Sequence, residues 1–131
     1  MIKREAKAQV IWGRYVRELK LYGAFELKQT TKDYINFNEV KDHQIEGLTA
    51  VQSGGFVWKL SDLDIREKPF DMISTQALYG YVVIYYSQHR TFVMITIFNF
   101  VNEKENSLKK SLYFDKACEI ADLVIELSPT K

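Results

Sequence analysis

The sequence has a single cysteine, Cys118, so neither an internal disulfide nor a cysteine-built zinc site can form. It has no apolar run of the length, about 18 residues, that a membrane-spanning helix requires. Its first ten residues, MIKREAKAQV, are charged and lack the apolar stretch of a secretory signal, so none is expected. No glycine-rich phosphate loop, no Ser-His-Asp order and no HExxH motif occurs. Internal repeats, low-complexity tracts and linker-like stretches are also missing. What is present suits one cytoplasmic domain over residues 1–131: 47% of the chain is hydrophobic, enough to bury one core and to exclude disorder.

The net charge of +1 points to no class of partner, but the charge is unevenly spread. Residues 1–35 carry eight Lys or Arg against four acids, whereas residues 115–131 carry four acids against two lysines. A basic end on a near-neutral protein is a footprint suited to phosphates, and it reads equally as a solvated helix face.

Ala8, Ile11, Trp12, Tyr15 and Leu19 recur at helical spacing, which predicts a helix over 3–19. A strand follows over 21–29, with Phe25 and Leu27 on one face and Ala24, Glu26 and Lys28 on the other. Residues 30–37 read as a polar connection, and Asn38 as the N-cap of a second helix over about 39–52. Gly54 and Gly55 stop it before a short apolar strand at 56–60 and a charged loop at 61–70. Strand-like runs at 71–76, 80–86 and 91–98 suggest an antiparallel meander. Residues 101–110 are polar, and a last helix over about 114–127 would present Ala117, Ile120, Ala121, Val124 and Leu127 inward. The fold class is α/β, a mixed sheet flanked by helices.

Glu26-Leu27-Lys28 is the segment richest in chemistry. Residues two apart in a strand share a face, so a carboxylate and an ammonium project side by side from an apolar segment. The carboxylate can hold a hard divalent cation, helped by the Leu27 carbonyl, and the lysine can neutralise charge growing on a phosphate. The same triplet also reads as an exposed ion pair. On a helical wheel Gln44 falls within the apolar stripe of Val40, Leu48 and Val51. A buried amide needs partners, which a site or the backbone can supply. His43 lies beside the stripe and reads as a surface residue.

The stretch 25–60, FELKQTTKDYINFNEVKDHQIEGLTAVQSGGFVWKL, resembles the central segment of the RecU-type Holliday junction resolvases. These belong to the PD-(D/E)xK nuclease superfamily, in which the archaeal Hjc resolvases are cousins. The likeness rests on Glu26-Leu27-Lys28, then Thr30-Thr31-Lys32, His43-Gln44-Ile45, Gly54-Gly55 and Phe56-Val57-Trp58, in that order, with Lys110-Ser111-Leu112 before the last helix. It implies a restriction-endonuclease-like core and a phage or bacterial protein that cleaves branched DNA as a homodimer in recombination or repair, leaving 5′-phosphates. It further implies Glu26 as a Mg²⁺ ligand (Mn²⁺ can substitute), with the Leu27 carbonyl beside it, Lys28 as the catalytic lysine and Gln44 as an active-site helix residue. In such a site the metal lowers the pKa of a bound water that attacks phosphorus, while metal and lysine offset the growing charge.

The sequence departs from that family at one ligand. Members carry a metal-binding Asp upstream of the Glu, and the window 11–23 holds no Asp. Asp71 opens an apolar run after Pro69-Phe70 and is the candidate second carboxylate of a rearranged site; Glu18 and Glu5 on helix one are the alternatives. Without a second acid the chain would be a non-cutting DNA-binding module, and a more distant reading is a homo-oligomeric accessory protein. Lys32, Lys109 and Lys110, in polar connections, are expected to touch phosphates. Asp62 and Asp64 read as solvated, His89 as a turn residue and Cys118 as a structural thiol. Tyr79, Tyr81, Tyr85 and Tyr86 suit core or interface better than base stacking.

Overall fold

The helical recurrence of Ala8, Ile11, Trp12 and Tyr15 and the strand alternation of Phe25 and Leu27 bring these apolar residues into one cluster. A computed structural model of the protein describes residues 2–52 and 79–127 and, within them, the side chains of 7–51 and 79–127. The elements are α1 (Ile2–Leu19), β1 (Ala24–Thr30), β2 (Tyr34–Asn36), a 3-10 turn (Phe37–Glu39) and α2 (Asp42–Gln52). After residue 78 come β3 (Gly80–Tyr86), β4 (Thr91–Thr96), α3 (Ile97–Asn106), β5 (Ser111–Tyr113), α4 (Phe114–Ile120) and β6 (Leu123–Glu126).

Among the described residues four strands form a mixed sheet in the order β1-β3-β4-β6. β1 and β3 are parallel, with Glu26 beside Val82 and Lys28 beside Ile84. β3–β4 and β4–β6 are antiparallel. β2 and β5 form a separate antiparallel ribbon in which Ile35 opposes Leu112 and Tyr34 opposes Tyr113. The fold is therefore α/β, a mixed sheet flanked by helices.

Each sheet face has its own core. On one face α1 lays Ala8 and Trp12 over Leu27, Val83, Phe92 and Met94, and the Trp12 ring lies 5.4 Å from that of Phe92. On the other, α2, α3, α4 and the ribbon cover Val82, Ile84, Tyr86, Val93 and Ile95 with Val40, Leu48, Phe100, Leu112 and Ala117. Val82, Val83 and Ile84 are consecutive and fully buried, as the central strand of a sheet covered on both sides requires. Each such side chain contributes about 1.5–3 kcal/mol by leaving water.

Several boundaries differ from the sequence reading. The polar connection at 30–37 contains β2, because Ile35 finds a buried place opposite Leu112 far along the chain. Asn38 lies in the 3-10 turn and α2 begins at Asp42. β4 stops at Thr96, whose hydroxyl accepts from the Asn99 backbone N–H and caps α3, so the polar residues after 100 are largely helical. The last helix ends at Ile120; Val124 belongs to β6, where it is exposed, and pairs with Val93. The expected strands at 56–60 and 71–76 and the loop at 61–70 lie outside the described residues.

Candidate functional site

β1 carries the site because its alternation splits cleanly. Phe25 and Leu27 face α1, while Ala24, Glu26 and Lys28 face the core built by α2 and the ribbon. Lys28 Nζ stands 3.7 Å from Glu26 Oε2, with the Glu26 side chain 31% exposed and that of Lys28 16%. The pair thus lies at the margin of the core, reachable by solvent.

α2 brings the third member. Gln44 occupies its first turn, where its Oε1 accepts from the backbone N–H of Lys41 at 2.9 Å. This is one half of a capping box: a long side chain reaching back to a helix-start N–H that has no intrahelical acceptor. With the oxygen end committed there, the amide nitrogen is turned to β1 and donates to Glu26 Oε2 at 2.9 Å. One carboxylate oxygen therefore receives both Gln44 and Lys28, and Oε1 is left without a hydrogen bond among the described residues. The helix is held close by Leu48 and Val51 and by the absence of a side chain at Gly80, where a Cβ would come within 2.4 Å of the Leu48 carbonyl oxygen.

Glu26, Lys28 and Gln44 are thus brought together as the sequence suggested. His43 is exposed on the same helix. Asp71, Asp62 and Asp64 lie outside the described residues, as does the Glu5 side chain. Of the two helix-one alternatives, Glu18 is exposed on a helix packed against the opposite sheet face. Among the described residues no group of three His, Cys, Asp or Glu is gathered closely enough to hold a metal ion. Glu26 is the carboxylate these elements supply, with one oxygen that makes no hydrogen bond among the described residues. That suits a cation such as Mg²⁺, which takes one or two carboxylates together with substrate phosphates and water.

The three expected phosphate lysines are exposed around the ribbon. Lys32 Nζ lies 5.5 Å from the centre of the Tyr34 ring and Lys109 Nζ 4.8 Å from that of Tyr113. The carbonyl of Lys110 accepts from the Phe37 backbone N–H at 3.0 Å, fixing the start of β5. The sequence reading did not anticipate Tyr34 or Tyr113, since only the pairing of two distant segments sets them side by side.

The remaining candidates are structural. His89 sits in the β3–β4 turn, 2.6 Å from Asp33 Oδ1, with its ring stacked on Phe114 at 3.8 Å. Cys118 is half-buried, and burial, then Asp115, pushes its thiol up, away from the thiolate that nucleophilic chemistry uses. Tyr86 is fully buried and donates to the Leu112 carbonyl at 3.0 Å, while Tyr81 and Tyr85 pack on the α1 side. Tyr79 is exposed. No helix among the described residues is long and apolar enough to cross a membrane.

Compared with protein-family models, with curated proteins and with solved structures, the chain finds no match.

Proposed function

We propose that the protein is a metal-dependent endonuclease that hydrolyses phosphodiester bonds in branched DNA, similar in its site to the RecU- and Hjc-type junction resolvases. The observation that carries this reading is the convergence of Glu26 and Lys28 from β1 with Gln44 from α2 on a single carboxylate oxygen. An ion pair present only for surface solubility needs no amide from a capped helix start, and the ordered combination Glu-x-Lys, then His-Gln-Ile, is the part of the resemblance these residues make up.

In this reading each residue has a distinct task. Gln44 holds Glu26 by Oε2, which leaves Oε1 without a hydrogen bond among the described residues. Glu26 would hold Mg²⁺ or Mn²⁺, with the Leu27 carbonyl and Asp71 as the further candidates from the chain. When bound, the metal supplies the polarisation that makes water a nucleophile at neutral pH. Lys28 places an ammonium where negative charge grows on the phosphate oxygens, and its partial burial strengthens that interaction. Lys32, Lys109 and Lys110 hold the sugar–phosphate backbone without reading sequence. A homodimer would match the approximate two-fold symmetry of a four-way junction.

The test is cleavage of linear, flap and four-way DNA with Mg²⁺ and with chelator. Cutting of branched substrates that chelator stops is the expected result. Binding without cutting under every condition favours the non-cutting DNA-binding module, in which Glu26 and Lys28 are only an ion pair.

A further inference from the structure

The β2–β5 ribbon turns two very different faces to its surroundings. Ile35 and Leu112 point inward and are buried in the core beneath the sheet. Strand alternation then sends Tyr34, Asn36, Ser111 and Tyr113 outward. The two tyrosines are direct cross-strand partners with ring centres 5.2 Å apart, and Tyr113 is 39% exposed. Beside them Ser111 Oγ and Asn36 Oδ1 are hydrogen-bonded at 2.5 Å. A lysine ammonium stands over each ring, Lys32 over Tyr34 and Lys109 over Tyr113, and Lys110 is exposed alongside. Neither ribbon strand, Tyr34–Asn36 or Ser111–Tyr113, contains a carboxylate. The nearest acid in sequence, Asp33, is occupied by His89.

We propose that this outward face is a stacking platform for unpaired bases of a nucleic acid strand whose phosphates are held by Lys32, Lys109 and Lys110. The inference rests on the nuclease reading and adds to it the feature of the substrate that the enzyme selects: nucleotides released from pairing next to the cleaved bond. Two properties favour a nucleic acid strand over a peptide as the occupant. The face sets two adjacent aromatic rings among three lysines, Lys32, Lys109 and Lys110, the complement of a strand that alternates flat bases with phosphates. It is also continuous with the site, since Thr30, at the end of the strand carrying Glu26 and Lys28, donates from its hydroxyl to the Tyr34 carbonyl at 2.8 Å. On binding, each ammonium leaves its ring for a phosphate and a base takes its place, and base–aromatic stacking is stronger than the exposed cation–π contact it replaces. Because every base has a flat face, the platform selects unpaired nucleotides and not a sequence.

The experiment uses the full chain carrying Lys28→Ala, so that bound DNA is not cut, and two probes: a thymidine oligonucleotide and a blunt duplex. Replacing both Tyr34 and Tyr113 by Leu keeps apolar bulk without the aromatic faces. The expected result is about a tenfold loss of affinity for the oligonucleotide, with duplex affinity unchanged. Equal affinity of this variant and its parent for the oligonucleotide overturns the platform. A second variant, Tyr113→Trp, guards against misfolding of the first: its added fluorescence should be quenched by the oligonucleotide and not by the duplex, and an unquenched signal at saturation also overturns it. Cleavage by the wild-type chain is read separately. Cutting without stacking removes the platform and leaves the nuclease, whereas stacking without cutting removes the nuclease and leaves a binder of unpaired strands.

Discussion

The side-chain amide of Gln44 joins the start of α2 to β1 by donating to Glu26 Oε2 at 2.9 Å while its oxygen accepts from Lys41 N–H at the same distance. The two bonds constrain each other. The backbone donor fixes which end of the amide is oxygen, and the carboxylate needs the end that remains. Gln44→Glu keeps an acceptor for Lys41 but sets a second carboxylate against Glu26. Two carboxylates sharing a site cannot both ionise without cost. The variant is expected to lose about 1 kcal/mol of stability at neutral pH and to recover it towards pH about 4, where one of the pair is protonated. Urea midpoints at the two pH values measure this, and a pH-independent loss would mean that the side chains are not in contact.

In the proposed mechanism Lys28 is expected to bear on rate more than on folding. Its ammonium is 3.7 Å from Glu26 at the margin of the core, so Lys28→Ala should leave the urea midpoint nearly unchanged. Loss of one transition-state donor costs on the order of 10²–10³ in rate. Single-turnover cleavage of a four-way junction by the variant at saturating protein isolates this term from binding. Cleavage at the wild-type rate removes the lysine from the mechanism.

Asp71 is the sequence's candidate for the second carboxylate and lies outside the described residues. Mg²⁺ parts with its waters reluctantly, and a second carboxylate raises its occupancy at low free concentration. Asp71→Asn removes one charge and little volume. The expected outcome is DNA binding retained or tightened, with cutting lost at Mg²⁺ levels that saturate the wild type. A variant that cuts with the wild-type dependence on Mg²⁺ would pass the role to another acid.

Gly80 sets the distance between α2 and the sheet. A Cβ there would meet the Leu48 carbonyl oxygen at 2.4 Å and the Leu48 Cβ at 2.8 Å, neither of which is the movable end of a flexible side chain. Gly80→Ala must therefore push the helix outward, a change that typically costs about 1–3 kcal/mol. Gln44 rides on that helix, so cleavage should fall even at temperatures where the variant is fully folded. Circular dichroism and a cleavage assay on the same sample separate the two effects.

How far these relationships could be read beforehand depended on whether the signal was local. The alternation of Phe25 and Leu27 against Glu26 and Lys28 is intrinsic to a strand and placed each side chain on its observed face. Gln44 was conspicuous because an amide interrupted an apolar stripe. The ribbon was not legible, since three residues give no periodicity and Tyr34 meets Tyr113 only through long-range pairing. The C-terminal error has a similar cause. Leu123, Ile125 and Leu127 alternate as a strand while Ala117, Ile120, Ala121 and Val124 recur as a helix, and the open side of β4 decides between them. At Ile97 the capping threonine was a local signal, hidden inside a β-branched run that continued through it.

Tyr86 ties the ribbon to the sheet, and its ionisation should release it. The phenol is fully buried and donates to the Leu112 carbonyl of β5 at 3.0 Å. Burial, with smaller contributions from Cys118 and Asp33, raises its pKa well above the ordinary tyrosine range. A raised folded-state pKa means that the unfolded chain releases the proton first. The stabilisation from the neutral phenol is therefore complete below the unfolded value of about 10 and is lost progressively as pH rises above it, at up to about 1.4 kcal/mol per pH unit. Tyr86→Phe removes the hydrogen bond, costing about 1 kcal/mol at neutral pH, and removes this alkaline loss as well. Every other residue is common to the two proteins, so the difference between their urea midpoints belongs to position 86. That difference should shrink between pH about 9 and 11 and then change sign. A constant difference across that range would mean that the buried phenol does not hold its proton as this environment requires.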